Sequence, residues 1–172
     1  MSSPKNIDIH HIALIALMSA ILTAGKMSLS FLPNIEIVTL ILIVYTVSLG
    51  IKKTIIASWI FSTTEIFIYG LSTWFLGYFI IWPLLIITTK FLQNKVKSEY
   101  GYAVIAGIFG LLFGLFFAAI ESIFYSYAYG LSYWLRGIPF DIVHGISNFI
   151  IVLILFKPLT NVITEQYNKY FK

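Results

Sequence analysis

The chain has 172 residues, of which 59% are hydrophobic, 17% aromatic and only 10% charged. Soluble domains carry about a quarter charged residues, so this composition, with a mean hydropathy of +0.93, excludes an ordinary soluble domain and implies an all-α membrane protein with several spans. The net charge of +4 belongs largely to lysines between apolar runs, where they set membrane orientation rather than bind nucleic acid.

Cysteine is absent, which excludes disulfides, thiolate metal sites and cysteine nucleophiles. The alternating short strands of an outer-membrane barrel are not seen. In chain order, a polar start over 1–11 leads into a first expected span over 12–29. It has no small-residue cleavage site, so it reads as a retained span. Ala13, Ala16, Ala20 and Ala24 form a ladder at helical spacing, and such faces let a second helix approach closely in lipid. Packing within the chain is the plain alternative. Lys26 lies near the end of this span. The stretch SFLPN, 30–34, is a turn carrying Pro33 and Asn34.

The second span is expected over 35–49, with Glu36 at its mouth and Gly50, Lys52 and Lys53 following. The third, 54–71, holds Glu65 and Tyr69 four residues apart. A turn at 72–74 opens the fourth, 74–92, where Trp82-Pro83 marks an expected kink. QNKVKSEY, 93–100, is polar enough to lie outside a bilayer. The fifth span, 102–129, is longer than a hydrocarbon core of about 30 Å requires, so it tilts or protrudes. Gly107, Gly110 and Gly114 permit close helix approach in its first half, and Glu121, Tyr125 and Tyr129 share a face in its second. A loop over 130–139 leads to the sixth span, 140–156, on which Asp141, His144 and Asn148 share one face. The tail, 160–172, is polar and reads as an interfacial helix. The whole chain, 1–172, reads as a single six-helix transmembrane domain.

Six spans place both termini on one side. That side holds Lys5, Lys52, Lys53, Lys90, Lys95, Lys97, Lys157, Lys169 and Lys172; the other holds Lys26 and Arg136. Nine against two marks the termini as cytoplasmic. The intramembrane ionisable groups then collect in the extracellular half, and such groups are costly and usually functional. The expected substrate-binding set is Lys26, Asn34, Glu36, Glu65, Tyr69, Trp74, Glu121, Tyr125, Trp134, Arg136, Asp141, His144 and Asn148, with Tyr129 and Tyr133 at the same depth. Each has a plainer reading. Glu65 and Glu121 pair with Lys26 or a tyrosine hydroxyl, Glu36 caps or is solvated, and Asp141 caps the start of the sixth span. His144 bonds a neighbouring helix, Arg136 is a loop charge, and the aromatics form an interfacial belt.

His10 and His11 fall on the cytoplasmic side, so a metal site at the outer end has only His144 to draw on. No catalytic motif of the nucleophile-elbow or zincin kind and no phosphate-binding Gly-rich loop is present. With no nucleotide site and no internal repeat, movement of a solute against a gradient needs energy from a partner.

The alanine face (Ala16 and Ala20 within ALMSA), six short spans and a ligand-type outer half resemble the S components of energy-coupling factor (ECF) transporters. The stretches KMSLSFLPNIEIVTL, 26–40, and RGIPFDIVHGISNF, 136–149, look like one branch in particular, the cobalamin-specific S components. The resemblance spans nearly the whole chain. It implies a non-catalytic subunit in the cell membrane that binds a vitamin from outside, docks on a membrane T component coupled to two ATPases, and topples so that its pocket opens inward. It also implies docking through Ala16 and Ala20, extended by Ala13 and Ala24, and a gate at 30–34. No cofactor is implied beyond the vitamin itself and the ATP bound by the partners. Other micronutrients such as pantothenate, pyridoxine or a queuosine precursor are the nearest alternatives. An intramembrane enzyme using Glu65, Glu121 and His144, or a structural membrane protein, stands further off. Cavity size separates the substrates, because a corrinoid needs a broad cavity and a small vitamin a closed one.

Overall fold

The computed structural model describes residues 9–171, apart from the side chain of Phe75. Lys5 and Lys172, which enter the charge count above, lie outside the described residues. Within them the chain is all-helical: α1 (Ile9–Ser28), α2 (Val38–Leu49), α3 (Ile51–Tyr69), α4 (Thr73–Leu92), α5 (Glu99–Leu111), α6 (Phe113–Phe124) and α7 (Tyr127–Phe171). Three stretches are long and apolar enough to cross a membrane, namely Ile9–Ser28, Glu99–Phe124 and Tyr127–Phe171. Large apolar side chains such as Phe67 and Ile123 stand 85% and 82% exposed, as a surface that meets lipid requires.

α2 is the centre. Every position from Val38 to Thr46 is buried, and a helix that is apolar all round belongs in an interior. α3, α4 and α7 pack around it, and α1 lies outside against α3. Gly50, at φ 92°, alone joins α2 to α3. A side chain would be strained in that conformation, which is why glycine stands at the reversal. The hydroxyls inside this apolar body turn back onto their own helices, Thr46 to the Leu42 carbonyl at 2.7 Å and Ser62 to that of Ser58 at 2.9 Å, leaving few polar atoms to seek other partners.

α7 forms the densest packing, against α5 and α6. Its register rests on glycine facing glycine. A Cβ added at Gly110 would stand 2.8 Å from Gly145 Cα, and one at Gly107 would stand 3.3 Å from Phe149 Cβ.

Several expected boundaries change. The loop expected at 130–139 is helical: α7 runs unbroken from Tyr127 to Phe171 with Pro139 and Pro158 inside it. Each proline removes one N–H and crowds one carbonyl, a local cost that a helix packed against neighbours can absorb. The expected interfacial tail is the last part of the same helix. The fifth expected span is interrupted at Leu112 and ends at Phe124, so Tyr125 lies between helices and Tyr129 belongs to α7. α2 begins at Val38 rather than at 35, which leaves Glu36 in the segment ahead of it.

Gly110→Leu should therefore drive α5 from α7 and destabilise the fold by about 1–3 kcal/mol or more. Gly137→Ala, where nothing lies within 4 Å of an added Cβ, should be neutral or slightly stabilising. Thermal unfolding in detergent measures both; equal effects would remove the glycine seam as the determinant of register.

Candidate functional site

A cavity of about 1140 Å³ opens at one end of the helix bundle. It lies where α1 ends, α3 ends and α4 begins, bounded by the 29–37 connection, the first half of α7 and the start of α6. The opposite end is marked by Lys53 at the start of α3, which donates to Tyr167 Oη near the end of α7 at 3.1 Å. Pockets for drug-sized ligands enclose about 300–1,000 Å³, so this cavity has room for a ligand of that size or larger.

Its walls are aromatic. Trp74, Tyr78 and Trp82 recur every four residues along α4, and Phe113 and Phe117 face them from α6. Ring centroids lie 4.9 Å apart for Trp74–Phe117, 5.9 Å for Tyr78–Phe117 and 5.6 Å for Trp82–Phe113. Offset and edge-on contacts of this kind hold rings in fixed orientations, giving broad flat surfaces with little conformational freedom.

Nine of the thirteen expected binding residues line the cavity: Lys26, Asn34, Glu36, Glu65, Tyr69, Trp74, Arg136, Asp141 and His144. The other four are elsewhere. Glu121 is buried and accepts from Thr73 Oγ1 at 2.5 Å, tying the start of α4 to α6. Asn148 is buried and donates to Thr39 Oγ1 at 3.3 Å. Tyr125 is exposed and stacks on Tyr129 with centroids 4.8 Å apart. Trp134 is half-buried off the cavity wall. Tyr129 and Tyr133 do line it. Tyr78, Trp82, Phe113 and Phe117 were not among the expected residues, although the four-residue spacing of Trp74, Tyr78 and Trp82 was a signal that α4 presents an aromatic face.

The charges are mostly paired. Lys26 Nζ binds Glu65 Oε2 directly and lies 4.7 and 5.0 Å from the Tyr69 and Tyr78 ring centroids, a cation held by a carboxylate and two π-faces. His144 Nε2 stands 3.2 Å from Glu36 Oε1, while Thr39 N–H donates to Glu36 Oε2 at 2.9 Å. Glu36 thus serves an amide of the first turn of α2, which has no partner within the helix, and reaches α7 as well. Ser147 Oγ donates to the Asn34 carbonyl at 3.1 Å. With Asn148–Thr39, these contacts strap the 34–39 segment along α7.

Asp141 does not cap its own helix, which has already run for fourteen residues from Tyr127. Instead its Oδ1 accepts from Gly114 N–H at 2.9 Å, in the first turn of α6, whose amides have no partner within the helix. A Cβ at Gly114 would fall on the carboxylate. Arg136 is exposed at the rim and has no ion-pair partner among the described residues. No three His, Cys, Asp or Glu side chains gather into a metal-binding group among the described residues.

The alanine ladder faces outward. Ala13, Ala16, Ala20 and Ala24 are exposed, and the last three line a shallow groove of about 470 Å³ between α1 and α3, with Ile60 and Thr64 opposite.

Lys26→Met should leave the Glu65 carboxylate without its counter-ion at a cost of about 3 kcal/mol, and adding Glu65→Gln should return most of it. A double-mutant cycle on thermal unfolding reads the coupling; additive losses would mean the pair is not a unit.

Comparison with family models, with curated proteins and with solved structures finds no match to this chain.

Proposed function

We propose that the protein is a high-affinity S component of an ECF-type transporter. It lies in the cell membrane with six spans and both termini cytoplasmic, and takes up a vitamin, with cobalamin the leading substrate. The observation that carries this reading is the 1140 Å³ aromatic-walled cavity, which holds most of the polar side chains that an otherwise apolar bundle keeps together. A cavity of that size favours a bulky ligand over pantothenate or pyridoxine. In the orientation given by the lysines it faces outside.

The same reading gives the exposed alanine groove a task. A face of small residues in lipid admits a second helix closely, and the T component, coupled to its two ATPases, is the partner proposed for it. Toppling requires the cavity's charges to cross the apolar layer. Uncompensated charge would make that prohibitive, and the Lys26–Glu65 and His144–Glu36 contacts lower the cost. Arg136 and Asp141 are left for the ligand or for each other during the rotation.

Mild detergent extraction followed by mass spectrometry of retained small molecules tests the substrate directly. The expected result is a corrinoid, with the T component and ATPases co-purifying. Absence of both would overturn the reading. Ala16→Trp or Ala20→Trp should reduce cellular uptake to background and leave binding to the isolated protein within about threefold, the spread expected of a distant site. Loss of uptake and binding together would count against docking through this face.

A further inference from the structure

Charge is sorted to the two ends of the bundle. The end opposite the cavity carries Lys52 and Lys53 at the start of α3, and Lys90, Lys95 and Lys97 around the end of α4. Lys157 and Lys169 reach it on α7. Contacts bring these elements to one end. Gln93 Nε2 donates to the Val47 carbonyl at 3.5 Å, joining the ends of α4 and α2. The Tyr102 and Phe156 rings stack with centroids 4.3 Å apart, joining α5 to α7. Among the described residues only Glu99 and Glu165 oppose the lysines there, seven cations against two anions, a surplus of five. At the cavity end the balance is reversed, with Lys26 and Arg136 against Glu36, Glu65, Glu121 and Asp141.

The seven ammonium groups meet no carboxylate. Both ion pairs among the described residues, Lys26–Glu65 and His144–Glu36, lie in the cavity. Lys90 donates to the Gln93 amide oxygen at 3.1 Å, and Lys95 and Lys169 lie over the Phe91 and Tyr170 rings at 5.6 and 5.3 Å. All but Lys53 are exposed. Like charges gathered on one surface repel, and here no counter-charge of the chain offsets that.

The surroundings select the anion. Phe91, beside Lys90, is 73% exposed and Ile9, at the start of α1, 77%, so the lysines stand where an apolar, lipid-facing flank ends. The last turns of α7 are amphipathic. Leu159, Ile163 and Tyr167, four residues apart, pack on the core. Tyr167 accepts from Lys53 at the start of α3, and the Phe171 ring lies 5.6 Å from that of His11 in α1. The remaining face, with Asn161, Glu165, Gln166, Asn168 and Lys169, is exposed. Lysines and aromatic rings at the border of an apolar flank suit the headgroup layer of a bilayer. No arginine stands at this end among the described residues. Lysines are mobile point charges, not planar forks matched to one phosphate, which favours a layer of headgroups over a nucleic acid or a phosphopeptide.

We propose that the end opposite the cavity is a docking surface for anionic phospholipid headgroups, held by its exposed lysines with the last turns of α7 at headgroup level. This goes beyond the transporter reading and does not depend on what the cavity binds. Each lysine close to an anionic lipid layer strengthens attachment roughly fivefold. The effect is spread over several side chains, so losing one is partial and losing three is large.

The test places the full chain in phosphatidylcholine bilayers with a trace of spin-labelled phosphatidylglycerol or spin-labelled phosphatidylcholine. Electron spin resonance then reads the fraction of each label held at the protein surface. Phosphatidylglycerol should be preferred by about threefold or more at low salt. In molar salt, where charges are screened beyond about 3 Å, the preference should fall to within about 1.5-fold. Lys52→Gln, Lys157→Gln and Lys169→Gln together should remove most of the low-salt preference, since all three side chains are exposed and none lines the cavity. Thermal unfolding in detergent checks that this variant folds; if it does not, Lys157→Gln with Lys169→Gln carries the same readout. No preference in the wild-type chain, or one that survives these substitutions, overturns the proposal. Inorganic phosphate at constant ionic strength should leave the preference unchanged; its loss would assign the surface to a soluble anion and overturn the lipid assignment.

Discussion

Helix α7 can lie against α5 only because Gly107, Gly110 and Gly145 lack a Cβ at the crossing, where Gly110 and Gly145 meet backbone to backbone. That contact fixes both the depth and the rotation of α7. Once it is set, the face carrying Asp141, His144 and Asn148 must look inward at α2 and at the start of α6, and the aromatic face of α4 is left across a gap. The cavity is what remains between a helix held close on one side and a pair of ring-bearing helices on the other. A single methyl group at the seam would shift every one of these relationships, because packed interiors transmit small volume changes rather than absorb them.

Within that frame, polar atoms have few places to go. Soluble proteins hand exposed helix ends to water. Here the start of α6 is inside, so its Gly114 amide is met by Asp141 from the middle of another helix. The start of α2 is met by Glu36, whose second oxygen then reaches His144. One residue therefore closes a helix end and joins two elements. The same economy explains why the 34–39 segment follows α7 so closely: Asn34, Glu36 and Thr39 each find on it the partner that an apolar surrounding denies them. A segment tied by three hydrogen bonds at the margin of a cavity is also one that few interactions would have to release.

Helix content and the pairing partners were legible from sequence to different degrees. The apolar runs gave the helices because composition and period 3.6 do not depend on tertiary context. The break between the last two expected spans was misread because Gly130, Gly137 and Pro139 punctuate soluble chains, while here Gly130 packs on Ser122 and Ala118 and the proline is carried within a helix braced by its neighbours. Position along the helices was enough to bring nine of the thirteen expected residues to one cavity. Facing was not legible. Glu121, Trp134 and Asn148 lie at plausible heights but point to Thr73, away from the cavity, or to Thr39. Tyr78, Trp82, Phe113 and Phe117 escaped notice because an aromatic repeat reads equally as core, and only the gap between α4 and α6 turns a core stripe into a cavity wall.

The distribution of charge bears on how such a body could change its orientation in lipid. An isolated ammonium or carboxylate keeps its shell of water, and an apolar layer removes it at high cost. A Lys26 held by Glu65 and two tyrosine rings, and a His144 held by Glu36, carry part of that shell with them as protein atoms. Asp141 is half-satisfied by an amide, and Arg136 remains open to solvent at the rim. A ligand seated against Asp141 and covering the approach to Arg136 would shield the last two. In the transporter reading proposed above, occupancy would then favour reorientation over the unloaded state by an electrostatic route, without any contact between the ligand and the alanine face of α1. The coupling between loading and movement would reside in the difference between a covered and an uncovered charge.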